Sequence, residues 1–167
     1  MASHTHTDWP TNWYAIIDGS RDPRLEALVR GCSDHICLFK GALDPRLSQV
    51  SPWLVRIDQR EPLLATWQQH GRGLSWGLMV ETALPIERLQ RHFRRFLQAK
   101  LPDGMMVLFR FYDPRVFNTF IRAAQPDERT AWFDGVLQYA VEGQDGAEMH
   151  QYRLDSGRLL DGDRIIG

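Results

Sequence analysis

The tripeptide Asp-Pro-Arg occurs three times in this chain, at 22–24, 44–46 and 113–115, each time after an apolar run and before a stretch with helical spacing. The chemistry of the string restricts where it can stand. An aspartate accepts hydrogen bonds from the orphan amides of a helix start, and proline fits the first helical position because its missing N–H is not needed there. The three sites therefore read as helix starts that follow strands. Their intervals are unequal, so they do not mark a repeat array. The arginine is harder to place, because a cation in the first turn opposes the helix dipole by roughly a few tenths of a kcal/mol. Three such placements call for a carboxylate partner, either inside the fold or on another protein. No GxGxxG or GxxxxGK[ST] loop accompanies any of them, which argues against nucleotide binding.

Around these starts, residues 13–17, 35–39, 53–57, 75–80 and 106–112 are rich in aromatic and β-branched side chains and read as strands. Helical spacing is expected over 25–30, 45–50, 62–70, 85–100, 114–123 and from 126 to just before Gly135. The longest of these, 85–100, gathers Ile86, Leu89, Phe93, Phe96 and Leu97 within an arc of about 100°, with Arg88, Arg91 and Arg95 opposite. Segments 136–142 and 148–154 flank Gly143-Gln-Asp-Gly146 and read as a hairpin. Strands alternating with helices predict βαβ units with right-handed crossovers. The expected fold is mixed α/β: a mainly parallel central sheet flanked by helices, with a small C-terminal lobe of one helix and a β-hairpin. Residues 1–12 are expected to form a flexible N-terminal tail and 13–125 the α/β core. Residues 126–154 make the C-terminal lobe of the same domain, and 155–167 a C-terminal tail.

At 167 residues and 43% hydrophobic content, the chain has enough apolar surface to build a core without metals or disulfide staples. Twenty lysines plus arginines oppose twenty-one acids, which disfavours a strongly basic nucleic-acid binder and leaves only a local patch open. Lys40 and Lys100 are the only lysines, so the positive charge is almost all guanidinium, suited to planar pairing with carboxylates. Two cysteines make no disulfide framework, and Cys32 and Cys37 pair only if the fold brings their Cα atoms together. Along a strand, His35 and Cys37 supply two ligands at most, where zinc takes four, so no metal site is expected. A cysteine nucleophile needs a histidine in space, which spacing cannot assign among His70, His92 and His150. There is no HExxH or GxSxG pattern, no basic start followed by an apolar run, and no apolar stretch near the roughly 20 residues that span a bilayer. The expectation is a soluble intracellular domain without a membrane role.

Arg56 and Arg110 each sit inside an apolar run, where an unpaired buried charge costs several kcal/mol, so each needs a partner. Asp18, Asp58 and Asp113 stand at strand ends and are the natural candidates. The set is either a structural ion-pair cluster or a recognition or catalytic pocket. The Arg88, Arg91, Arg95 stripe is either the wet side of a core helix or a face that binds an acidic surface. Of the six tryptophans, most fill the core and one or two are candidate interface anchors.

The string Leu108-Phe-Arg-Phe-Tyr-Asp-Pro-Arg115, preceded by Leu101-Pro-Asp-Gly104, resembles the signature of the domain-of-unknown-function 4123 family. That family comprises adaptors, or chaperones, for effectors of the bacterial type VI secretion system. The resemblance continues through Tyr14-Ala-Ile-Ile-Asp18, Cys37-Leu-Phe39, Pro52-Trp-Leu-Val-Arg56, Pro62-Leu-Leu64, Gly73-Leu-Ser-Trp-Gly77 and Arg94-Arg-Phe96, and covers about residues 13–142. It implies a non-enzymatic protein that binds a cognate effector in the cytoplasm and helps load it onto the valine-glycine repeat (VgrG) spike. It implies no catalytic residues and no cofactor. The signature residues map onto Asp18, Arg56, Arg110, Tyr112, Asp113, Pro114 and Arg115, which the physical reading assigns to holding the sheet together. Candidate partner contacts are Arg88, Arg91, Arg95, Trp132, Tyr139 and Tyr152. The competing expectations are a small-molecule enzyme with an Arg/Asp pocket around Arg56, Arg110 and Asp113 or a thiol at Cys37, and nucleic-acid binding through the basic helix 86–100.

Overall fold

The computed structural model describes residues 10–41 and 44–167. One eight-stranded sheet organises them. Its strands are β1 (Asn12–Asp18), β2 (His35–Cys37), β3 (Pro52–Arg56), β4 (Gly77–Thr82), β7 (Val136–Glu142), β8 (Met149–Asp155), β9 (Arg158–Asp161) and β10 (Arg164–Ile165). They lie in the order β10-β9-β8-β7-β4-β1-β3-β2. Two further strands, β5 (Gln98–Lys100) and β6 (Met106–Leu108), form a separate ribbon. The helices are α1 (Leu25–Arg30), α2 (Pro45–Gln49), α3 (Pro62–Thr66), α4 (Ile86–Arg94), α5 (Pro114–Ala123) and α6 (Pro126–Trp132), and a π turn, Trp67–Gly71, extends α3.

The sheet is antiparallel throughout its neighbouring pairs, so the expected mainly parallel sheet flanked by helices is wrong. Helix length is one reason. A parallel crossover must carry the chain back along the strand it leaves, and α1, α2 and α3 are only five or six residues long. Five helical residues advance about 7.5 Å, against about 23 Å for a seven-residue strand such as β1. Burial is the other. Tyr14 and Ile16 of β1 enter one hydrophobic cluster, while Ala15 and Ile17 enter a second on the opposite face. A strand covered on both sides loses its polar alternation whichever way its neighbours run. The first cluster packs Leu54, Val80, Tyr139 and Tyr152 of the sheet against Phe93 of α4, Phe117 of α5 and Trp132 of α6. The second packs Trp53 and Val55 against Leu25 and Val29 of α1, Leu63 of α3 and Trp76. Gly77 permits β4 to approach β1, since a Cβ there would stand 2.0 Å from the Ile16 carbonyl oxygen.

Other expectations change as well. Residues 106–112 are not one strand: Met106–Leu108 forms β6, and Phe111 and Tyr112 leave it to be buried in the first cluster. The helix expected to reach residue 100 stops at Arg94, and Gln98–Lys100 turns back to pair with β6. Its hairpin turn is well made, with Gly104 at φ +88° and Asp103 accepting the Met105 amide at 2.9 Å. The hairpin expected in a C-terminal lobe belongs to the main sheet, because β7 lies between β4 and β8, and the helix α6 packs its Trp132 into the same core. Beyond them, residues 155–167, expected as a tail, form β9 and β10 and bury Leu159 completely. Of the expected N-terminal tail, residues 1–9 lie outside the described residues, and Thr11 donates to Glu81 at 2.6 Å.

Candidate functional site

At α5 the partner of the first-turn arginine is the helix cap itself. At α1 the helix starts at Leu25, the cap position falls on Arg24, and Asp22 lies two residues before it, so the expected aspartate cap is not formed there. At the start of α5, Asp113 accepts the Arg115 amide at 2.9 Å and then the guanidinium of the same residue, from Nε at 3.0 Å and Nη2 at 2.7 Å. Asp22 holds Arg24 in the same way, at 2.8, 3.0 and 2.7 Å. Asp58 and Arg60 repeat the fork without a proline between them. At α2, Asp44 accepts the Arg46 amide at 2.8 Å. A carboxylate that gathers one amide and a planar guanidinium offsets the unfavourable dipole position of the cation. Hydrogen bonds from their arginines bring the Asp22 and Asp58 carboxyls down to about 2. Burial pushes the Asp113 carboxyl up, but the bonds from Arg115 outweigh it and the net shift is downward.

At the end of β1, Asp18 is fully buried. Its Oδ1 accepts the Ser20 amide at 3.0 Å and hydroxyl at 2.6 Å, and its Oδ2 accepts Arg110 Nη2. Arg110 Nη2 also donates to Ser20 Oγ at 2.7 Å. Arg110 thus ties the segment after β6 to the end of a central strand. Tyr112 is buried beside this pair, and burial, reinforced by the Asp18 charge, raises its hydroxyl to about 12. Arg56 is elsewhere. Its cross-strand neighbour on β1 is Tyr14, whereas Asp18 faces Pro52 at the other end of the same ladder. The Arg56 side chain is exposed, donates to Asn12 Oδ1 at 2.8 Å and approaches Asp34 at 3.7 Å. Arg56 and Arg110 therefore occupy opposite ends of β1 and do not share the expected pocket. Asp58, once a candidate partner for either, is taken by Arg60.

On α4 the stripe is as spaced: Arg88, Arg91 and Arg95 are exposed. Arg94, outside the stripe, clamps the chain after β2, donating to the carbonyls of Leu38 at 2.8 Å and Phe39 at 3.0 Å. Arg95 donates to His92 Nδ1 at 3.0 Å and lies over the Phe96 ring. That contact makes Nε2 the protonated nitrogen, which donates to the Trp132 carbonyl at 3.2 Å. Burial, with help from the Arg95 charge, lowers His92 to about 4.

The three aromatic residues expected at a partner surface are core residues. Trp132 is 3% exposed and stacks on Phe96 at 4.0 Å, while Tyr139 and Tyr152 are fully buried. The Tyr139 hydroxyl donates to the Trp132 carbonyl, and that of Tyr152 donates to Asn118 Oδ1 at 2.7 Å. Aromatic character alone does not separate core from interface. The surface that the sequence reading missed is the β5–β6 hairpin, where Leu101, Met105, Met106 and Leu108 are all exposed. At its base a pocket of about 380 Å³ is lined by Phe96, Phe109, Phe120 and Trp132, with Arg95 and Glu128 at its rim.

At neither thiol is the activating effect of nearby positive charge enough to offset burial, although Arg94 and Arg30 stand near Cys37. Burial pushes Cys32 up to about 12 and also raises Cys37, and both are free. Among the described residues no group of three or more His, Cys, Asp or Glu is arranged to hold a metal ion, and no helix is long and apolar enough to cross a membrane.

Comparison with known proteins gives one positive result. No curated protein and no solved structure matches the chain. The sequence model of the family described as "Domain of unknown function (DUF4123)", which is associated with type VI secretion effector adaptors, matches residues 13–131, the span that holds both the Asp18–Arg110 tie and the Asp113–Arg115 fork. The chain belongs to the DUF4123 family.

Proposed function

We propose that this protein is a non-enzymatic adaptor that binds a cognate type VI secretion effector in the cytoplasm and assists its loading onto the VgrG spike. The family match over residues 13–131 carries the reading. The arrangement of charge supports it. The guanidiniums of Arg110 and Arg115 are engaged by carboxylates of their own chain, which suits scaffolding, and recognition then falls to surfaces away from them. Clustered exposed apolar side chains such as those of the β5–β6 hairpin are what a client-binding protein presents before its partner arrives. Co-expression with each candidate effector encoded near this gene tests the proposal. The expected result is a complex that survives affinity purification and gel filtration, with effector secretion lost when this chain is deleted. Failure of every neighbouring effector to form a complex would overturn it.

A further inference from the structure

Two features of this surface meet at one place. The exposed guanidiniums of Arg88, Arg91 and Arg95 follow one another at spacings of three and four residues, so they line one side of α4 over about 10 Å. None of the three is in an ion pair among the described residues, in contrast with Arg24, Arg60, Arg110 and Arg115. The stripe ends at Arg95, which is also the rim of the aromatic pocket at the base of the β5–β6 hairpin. Lys100, on β5, extends the positive charge along that hairpin beside the exposed Met106 that pairs with it.

We infer that the α4 arginine stripe and the aromatic pocket at its end form a docking site for an acidic segment of a partner protein that carries an apolar anchor side chain. The stripe supplies planar donors for carboxylates, and the pocket supplies an aromatic seat for the anchor. A formal net charge of -1 argues against a nucleic acid as occupant. Glu128 at the pocket and Asp127 and Asp134 in the adjoining groove keep the carboxylates of the segment on the stripe and leave the pocket to its apolar anchor. The polypeptide nature of the partner rests on the adaptor reading; the site's chemistry does not.

The test uses the full chain and three fluorescein-labelled probes at low salt: a glutamate–alanine peptide with one central phenylalanine, its lysine-for-glutamate counterpart, and oligothymidylate. The glutamate peptide is expected to bind. Its affinity falls at least about tenfold on Arg91→Glu/Arg95→Glu or when its phenylalanine becomes alanine, and the other two probes do not bind. Arg88→Glu/Arg91→Glu, which leaves the His92 contact untouched, serves as the second variant, and circular dichroism shows that both remain folded. Equal binding by wild type and both variants, no binding of the glutamate peptide, or preference for oligothymidylate overturns the inference. An effector complex indifferent to both charge reversals sinks the docking site and leaves the adaptor reading standing. Charge-dependent peptide binding without any effector complex does the reverse.

Discussion

Arg110 and Arg91 are both exposed and differ in what their guanidiniums reach. Arg110 reaches a carboxylate that is wholly removed from water, and the carboxylate in turn organises the turn after β1. Arg91 stands exposed on α4 and has no ion pair among the described residues. Removing Arg110, itself half exposed, leaves the buried Asp18 carboxylate without its counter-charge, while removing Arg91 leaves only water behind. The first position is therefore tied to folding, and the second is free to serve recognition. One chain rich in arginine divides that residue between two tasks, and burial of the acid decides which.

The largest effect expected lies beneath the stripe. Trp132→Ala should destabilise the fold by about 4 kcal/mol in urea denaturation, because it empties the centre of an aromatic cluster that includes Phe96, Phe109, Phe111 and Phe117. A loss of partner binding at unchanged stability would return Trp132 to the surface role that its burial denies. Next comes acid. His92 has a folded value of about 4, below its usual 6.5, so the unfolded chain binds the proton more readily. Its contribution is fully present above pH 6.5 and drains away as the pH falls toward 4, by about 3 kcal/mol at most. His92→Gln should flatten that part of the stability–pH curve; an unchanged slope would show that the α4–α6 tie is not sensed through this ring.

Smaller changes sharpen the contrast. Asp113→Ala removes the α5 cap and frees Arg115, and should cost about 1–2 kcal/mol in thermal or urea unfolding. Arg88→Ala and Arg91→Ala should each stay within about 0.5 kcal/mol of wild type. A larger loss at either would mean that the stripe is structural after all and would erase the comparison.

How much of this was legible in the residues follows the range of each interaction. The Asp113 cap, the β7–β8 hairpin and the α4 stripe depend on neighbours a few positions away, and spacing alone locates them. Strand direction depends on partners far along the chain. Ile16 and Ile17 are both fully buried, on opposite faces, and such a run reads alike in parallel and antiparallel sheets. Phe111 and Tyr112 look like strand residues because they are apolar, yet they fill the space between the sheet and its helices without joining a ladder. Tyr139 and Tyr152 read as surface residues because aromatic side chains suit both places, and only the register that pairs them across β7 and β8 on the covered face separates the two. The exposed hairpin escaped notice for the converse reason, since Met106 and Leu108 look like core until the chain around them is seen to turn away.

The measurement closest to the central claim is a double-mutant cycle on Asp18→Ala and Arg110→Ala, read by urea denaturation with effector co-purification in parallel. If the guanidinium is scaffolding, the two replacements couple by about 1–2 kcal/mol, and any fall in effector binding tracks the loss of folded protein. Coupling near zero, with Arg110→Ala folding normally yet failing to hold an effector, would contradict the account.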